Sequence, residues 1–189
     1  MKKITVIVLA MLLVASIGQV ASAKTSVGAF AGYNITGKGF SVGLNGEYEF
    51  VNWFSLAGEA EAIIMKKSGS IKAVYVLDLE GKFTFLSIGK FNLGAKLFAN
   101  VILSTGDGMG IVGPGIHADI TVFDKLKVEL DYGIGLFLTN FVNTAAFVTI
   151  PYFADLRISY ALSDNISLGI RGKWRVEVLD FGLSFGYSF

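Results

Sequence analysis

His117 and Asp119 stand two residues apart in a stretch that reads as extended chain, so both side chains leave the same face of a strand. An imidazole beside a carboxylate is equipment for acid–base or hydrolytic chemistry. His117 is the only histidine in 189 residues, and there is no cysteine. A multi-histidine metal centre, a thiolate nucleophile and a disulfide framework are thereby excluded. Ala118 follows His117, and the next residues on its face are Asp119 and Thr121. The plainer reading is a histidine satisfied inside a hydrogen-bond network, whose removal would be nearly silent. Gly106, Gly108, Gly110, Gly113 and Gly115 have the look of a phosphate-cradling loop. No Gly-Lys-Ser/Thr follows and no helix opens there, so a flexible loop running into a strand fits better. Asp107 alone cannot build a calcium site. No cofactor is expected.

The charged residues make the largest constellation. Glu47, Glu49, Glu59, Glu61, Asp78 and Glu80 crowd the first half; Arg157, Arg171, Lys173 and Arg175 crowd the second. Lys96, Asp131 and Asp155 lie between or beside them, with Lys72, Lys82, Asp119, Lys127, Glu129, Glu177 and Asp180. In a closed ring of strands, the acidic early strands would stand roughly across from the basic late ones. Such walls could select ions, or bridge the lumen and plug it. Unpaired buried charge is costly, which favours the plug.

The elements that must hold these residues are strands. Phe40, Val42, Leu44, Tyr48 and Phe50 alternate with Ser41, Gly43, Asn45, Glu47 and Glu49. The same period of two runs through Leu126–Ile134 and through Ile166–Val178. Polar breaks near Val51-Asn52, Leu86–Gly89, Asp124-Lys125 and Ser163–Asn165 recur every 36 to 40 residues or so, the spacing of a hairpin repeat. Further breaks at Thr36–Gly39, Lys66–Ser70, Ser104–Gly110, Asn140–Ala145 and near Leu179 divide the chain into ten strands. They are expected at 25–35, 40–50, 53–65, 71–85, 90–103, 111–123, 126–139, 146–162, 166–178 and 180–189, with eight strands as the alternative. Tyr132–Ala154 is 23 residues without a charge, long enough for a membrane helix. Its glycines, asparagines and Pro151, and its alternating flanks, fit two strands and a neutral loop better.

Composition narrows the environment. Hydrophobic residues make 53% and charged residues 16%, against about 25% charged in an ordinary soluble domain. Disorder is excluded by hydrophobicity, and a net charge of +1 gives no case for nucleic acid. All twenty strand charges fall on the face opposite the leucines, isoleucines, valines and aromatics. Tyr48, Phe50, Trp53, Phe54, Phe83, Phe85, Phe91, Phe123 and Tyr160 gather beside the short turns, in the manner of an interfacial girdle. Lys2 and Lys3, an apolar run from Ile4 to Val20 and Ala21-Ser22-Ala23 have the form of a secretory signal peptide spanning 1–23. The mature chain would be 24–189. N-terminal sequencing of the membrane-extracted protein is expected to begin at Lys24; a start at Met1, or recovery from the cytoplasm, would refute export.

At the C-terminus, Phe181, Leu183, Phe185, Tyr187 and Phe189 occupy every second position, with small residues between them. This resembles the terminal strand signal of bacterial outer-membrane β-barrels. Tyr160–Gly169 resembles the periplasmic turns of small porin-like members of that group. The resemblance implies an all-β fold, a transmembrane up-and-down antiparallel barrel in the outer membrane of a Gram-negative envelope. It implies outer-membrane lipid as surroundings, and the barrel-assembly machinery and periplasmic chaperones as partners during biogenesis. It leaves activity open. A non-enzymatic barrel, structural or passing ions and very small solutes, is the leading expectation; a surface adhesion or binding barrel is disfavoured by the short loops. Omptin proteases are ten-stranded outer-membrane barrels with an Asp–His pair, and lipid A deacylases of that membrane use a His with a Ser. This chain has the order His then Asp, lacks long cleft-building loops and lacks a serine beside His117. A lipid- or peptide-hydrolysing role for His117 is therefore the minor alternative.

Overall fold

The computed structural model describes residues 24–67, 70–104, 108–137, 152–175 and 178–189. The proposed leader, residues 1–23, lies outside them, as do Asp107, the Asn140–Ala145 break and Glu177. Ten antiparallel strands follow in chain order: β1 (Lys24–Asn34), β2 (Gly39–Val51), β3 (Phe54–Lys67), β4 (Ser70–Ile88), β5 (Phe91–Leu103), β6 (Gly108–Val122), β7 (Leu126–Ile134, continued by Leu136–Phe137), β8 (Tyr152–Ala161), β9 (Ile166–Arg175) and β10 (Val178–Ser188). Each pairs with the next, and β10 returns to β1, Ser26 facing Ser188 and Asn34 facing Asp180. The sheet is thus a closed up-and-down barrel of ten strands, not eight. Closure leaves no unpaired edge.

Strand ends match the polar breaks with local adjustments. β9 stops at Arg175, and Val178 is already paired with it from β10. Val178 and Leu179 therefore belong to the last strand, where the sequence pattern had placed the end of one strand and a turn. Gly108, Gly110, Gly113 and Gly115 lie in β6, not in an anion-binding loop. Tyr132–Ile134, Leu136–Phe137 and Tyr152–Ala154 are strand, which removes the helical alternative over 132–154 for the described part of that span. No helix among the described residues is long and apolar enough to cross a membrane. The β6–β7 reversal holds Phe123 and Asp124 both at positive φ, 52° and 61°, and Lys90 pairs with Asp124 beside it.

Alternation sorts the side chains as the period of two requires. Phe40, Leu97, Leu183 and many other large apolar residues are exposed on the outer face, while Lys96 and Asp155 are only 1% exposed. Around the short-turn end, Tyr48, Phe50, Phe54 and Phe83 form a contiguous aromatic strip with centroids 4.5 to 5.4 Å apart.

The separation of faces is less complete than the sequence reading held. Phe30, Ile63, Val76, Phe98, Ile111 and Phe153 are buried on the charged, inward face. The Phe30 and Phe98 rings fit because glycines stand beside them. A Cβ on Gly133 would lie 2.6 Å from the Phe98 ring, and one on Gly43 would run into Phe30.

Candidate functional site in the barrel lumen

The inward face carries two ionic networks. The first crosses the lumen. Arg171, Lys173 and Arg175 project side by side from β9 because they are two residues apart on one strand. Lys173 Nζ donates to Glu59 Oε1 at 2.8 Å on β3 and to Asp78 Oδ2 at 2.5 Å on β4. Arg175 Nη2 donates to Glu61 Oε2 at 2.5 Å and to Glu59 Oε1 at 3.1 Å, and lies 3.4 Å from Asp78 Oδ2. Arg171 places Nη1 2.6 Å from Glu59 Oε2 and donates through Nη2 to Asp155 on β8 at 2.6 Å. Arg157 also donates to Asp155, at 2.8 Å. Glu59, Glu61, Asp78, Asp155 and the three β9 bases are all buried.

The second network runs along the wall of β4, β5, β6 and β7. Lys96 Nζ donates to Glu80 at 2.9 Å and to Asp131 at 3.1 Å. His117 sits between Asp131, 2.6 Å from Nδ1, and Asp119, 3.2 Å from Nε2. Asn92 completes Asp119 at 3.1 Å. Nearer the short-turn rim, Lys82 meets Glu47 at 3.4 Å and Lys127 meets Glu129 at 2.9 Å. Glu47 also accepts from Ser55 at 2.6 Å. Glu49 is half-buried near that rim, outside both networks.

The apolar lumen residues join the two networks. The Phe153 ring lies beneath Lys96 Nζ at 4.3 Å and Lys173 Nζ at 5.3 Å, and stacks on Phe98 at 5.7 Å. Phe30 takes the Arg171 guanidinium at 4.9 Å. Cations over aromatic faces gain electrostatic attraction where water is excluded. These residues escaped the sequence reading because apolar side chains were assigned outward as a class. Parity contained the signal: Phe98 is two residues from Lys96, Phe153 two from Asp155, Ile63 two from Glu61 and Val76 two from Asp78.

A cavity of about 230 Å³ occupies the lumen toward the short turns. One wall is hydroxylic, with Ser26, Ser159, Ser167, Ser184 and Ser188; the floor and far wall carry Glu47, Glu59, Asp78, Glu80, Glu129, Lys127, Arg157 and Arg171. Beyond the cross-lumen ion pairs, beside Glu61, Lys173 and Asp180, lies a space of about 10 Å³, at most the size of one water.

The His117 geometry bears on acid–base chemistry. Both ring nitrogens face carboxylates, so neither is left to take a proton from a hydroxyl nucleophile. The imidazole holds two buried carboxylates apart and satisfies one oxygen of each. These contacts give removal an expected cost, where the alternation pattern alone had suggested near silence. His117→Ala is expected to lower the unfolding free energy of the micelle-refolded barrel by about 1–3 kcal/mol, the cost of lost hydrogen bonds to charged groups. Denaturant titration followed by tryptophan fluorescence measures it. An unchanged midpoint would show that the Asp131–His117–Asp119 contacts carry no stability.

No family model matches this chain, and no curated protein is similar to it. Solved structures are. The KdgM porin in complex with disordered oligogalacturonate is 13% identical, with a TM-score of 0.54 over 87% of this chain and 99% of that one. The NanC porin in a rhombohedral crystal form is 8% identical, with a TM-score of 0.51 over 86% of this chain and 98% of that one. At these identities the likeness concerns the fold: a closed antiparallel barrel of the porin kind.

Proposed function

We propose that this chain is an integral protein of a bacterial outer membrane, a non-enzymatic barrel whose lumen is closed at mid-height by ion pairs. The observation that carries this reading is the reach of Lys173 and Arg175 across the lumen to Glu59, Glu61 and Asp78 at 2.5–3.1 Å. The apolar outer face supports the membrane setting, because a spanning sheet must present apolar residues to lipid and close on itself. The short turns and both termini of the mature chain, which meet at that rim, would face the periplasm, with residues 1–23 removed on export. The oligogalacturonate of the KdgM complex is not carried over: the cavity here is lined by five carboxylates and three bases, which disfavours a polyanion. Single-channel recording of the refolded protein in a planar bilayer tests the closed lumen. Wild type is expected to show no steady conductance; a steady, ohmic, ion-selective current would make it a narrow pore.

The last strand belongs to this proposal. Phe181, Leu183, Phe185 and Phe189 are exposed on the outer face, and β10 makes the closing contact with β1. Read as an assembly signal, this edge is what the barrel-assembly machinery would engage, after periplasmic chaperones deliver the chain to outer-membrane lipid. Deleting Phe189, or replacing Tyr187 and Phe189 by Ser, is expected to reduce membrane-inserted protein in cells several-fold. Refolding in detergent should change little, since Phe189 is 69% exposed and contributes little burial within the chain. Unchanged membrane levels in cells would refute the signal.

A further inference from the structure

A proline in the interior of a closed sheet removes a ladder donor, and Pro114 stands inside β6, exposed on the outer face. The ladder from β6 to β5 passes it without a break, Phe98 facing Gly113 and Leu97 facing Pro114. The ladder from β6 to β7 does not. It runs from Val122 facing Leu126 to Gly115 facing Gly133, skips two positions, and resumes with Val112 facing Leu136 and Ile111 facing Phe137. The register is the same on both sides of the gap, so no residue has been inserted; the missing pairs are Gly113 with Gly135 and Pro114 with Ile134. Both depend on one hydrogen bond, from the N–H of residue 114 to the Ile134 carbonyl, which proline cannot donate. A Cβ on Gly113 would run into that carbonyl oxygen, and one on Gly135 would lie 2.6 Å from Ile111 Cγ2. Glycine on both strands lets the two backbones settle around the gap.

Among the described residues, two pairs hold the far end of β7 to β6 beyond the gap. The β3–β4 seam, by contrast, is continuous from Phe54 facing Phe83 to Lys67 facing Ser70. The inference rests on the membrane setting proposed above, in which the wall at this height meets lipid: Leu97, Ile116, Ile134 and Leu136 are all exposed outward. A backbone carbonyl without a donor is costly in lipid, so the closed seam is weakest here. Nothing on β6 or β7 covers it from inside, because Gly113 and Gly115, and Gly133 and Gly135, are consecutive inward positions. The Phe98 ring lies directly behind, 2.6 Å from a Cβ built on Gly133 and 3.4 Å from one on Gly135. Phe98 stacks on Phe153, and both are buried with Ile111 in the apolar part of the lumen. We propose that β6 and the Gly135–Phe137 end of β7 part sideways, making a lateral opening through which hydrocarbon chains of the bilayer reach Phe98, Ile111 and Phe153.

The test places the full barrel in vesicles doped with a phospholipid that carries a diazirine in its acyl chain, followed by photolysis and mass-spectrometric mapping of the adducts. Leu97 and Ile116, on the outer face, report contact with lipid; Phe98 and Phe153 report the opening. The chain has no cysteine, so Val112→Cys combined with Leu136→Cys gives a single disulfide across the directly paired positions beyond the gap. Wild type and the reduced double variant are expected to carry adducts at Phe98 and Phe153, and the oxidised double variant almost none, with Leu97 and Ile116 labelled in all three. Pro114→Ala returns the missing donor without a disulfide. It is expected to lower the Phe98 adducts several-fold, the worth of one hydrogen bond. Adducts at Leu97 and Ile116 but none at Phe98 and Phe153 in wild type would overturn the opening and leave the membrane setting standing. Inward labelling that persists in the oxidised variant, or is unchanged in Pro114→Ala, would place the route elsewhere and also overturn it. A barrel unlabelled at Leu97 and Ile116 would refute the membrane setting itself, and the opening with it.

Discussion

Arginine placed at Leu130 or at Ile170 is expected to destabilise the barrel by roughly 2–4 kcal/mol, the cost of a guanidinium on a lipid-facing strand near mid-depth. Both side chains are about half exposed on the outer face, Leu130 at 48% and Ile170 at 55%. Their cross-strand neighbours are apolar: Leu130 stands between Ala118 and Leu156, and Ile170 between Ile158 and Leu183. Among the described residues no carboxylate stands beside either position on the outer face, so the cation has only lipid or a distorted bilayer. The measurement is reversible unfolding in lipid vesicles, with midpoint and slope compared to wild type. Lys127→Ala and Lys173→Ala are the inward-facing controls, since alternation puts both on the charged face. Geometry separates these two. Lys127 is 42% exposed and pairs only with Glu129, so its loss should cost about 0–1 kcal/mol. Lys173 is 4% exposed and is held by Glu59 and Asp78, so its loss belongs with the severe variants. Harmless arginines at Leu130 and Ile170 would mean that the two faces are reversed.

Replacing Arg171, Lys173 and Arg175 together by alanine is expected to open the lumen and to cost more than about 3 kcal/mol of stability. Glu59, Glu61 and Asp78 would then be buried without partners, whereas Asp155 keeps Arg157 at 2.8 Å. The acidic wall would remain, so the current that appears should favour cations. Adding Glu59→Gln, Glu61→Gln and Asp78→Asn to the same chain separates bulk from charge. The six-fold variant should recover part of the lost stability, because the orphaned charges are gone. Its conductance should persist while cation preference falls. Planar bilayer recording and vesicle unfolding read both quantities. If neither variant conducts, the Phe30, Phe98 and Phe153 rings and their neighbours close the lumen without the bases, and the ion pairs are a structural belt only.

Which residues line the lumen was legible one strand at a time. Glu59 and Glu61, or Arg171, Lys173 and Arg175, sit two apart, and alternation alone puts each set on one face. His117 was legible in the same way as an inward residue beside Asp119. Its second carboxylate, Asp131, was not, because it comes from β7 and reaches Nδ1 only through the β6–β7 register that opposes His117 to Asp131. The aromatic residues of the lumen were legible by parity and were missed by residue class. Phe98 and Phe153 are hydrophobic, yet they share the face of Lys96 and Asp155 and serve as surfaces for cations.

The sequence by itself determined the alternating strands, the gathering of the charges on one face, and the all-β barrel class; the closed ring decided for ten strands over eight and placed six apolar side chains among the charges. The first three are local properties: a period of two encodes two faces, and polar breaks mark the reversals. It could not determine which charges meet. Lys173 and Glu59 are 114 positions apart, on strands that stand nearly across the ring from each other, and their contact depends on closure and on how far each strand slides along its neighbour. Alternation states that a side chain points inward but carries no information on its height or bearing around the barrel. Only the closed ring converts an acidic half and a basic half of the chain into one set of ion pairs across the lumen, with a chamber beside it.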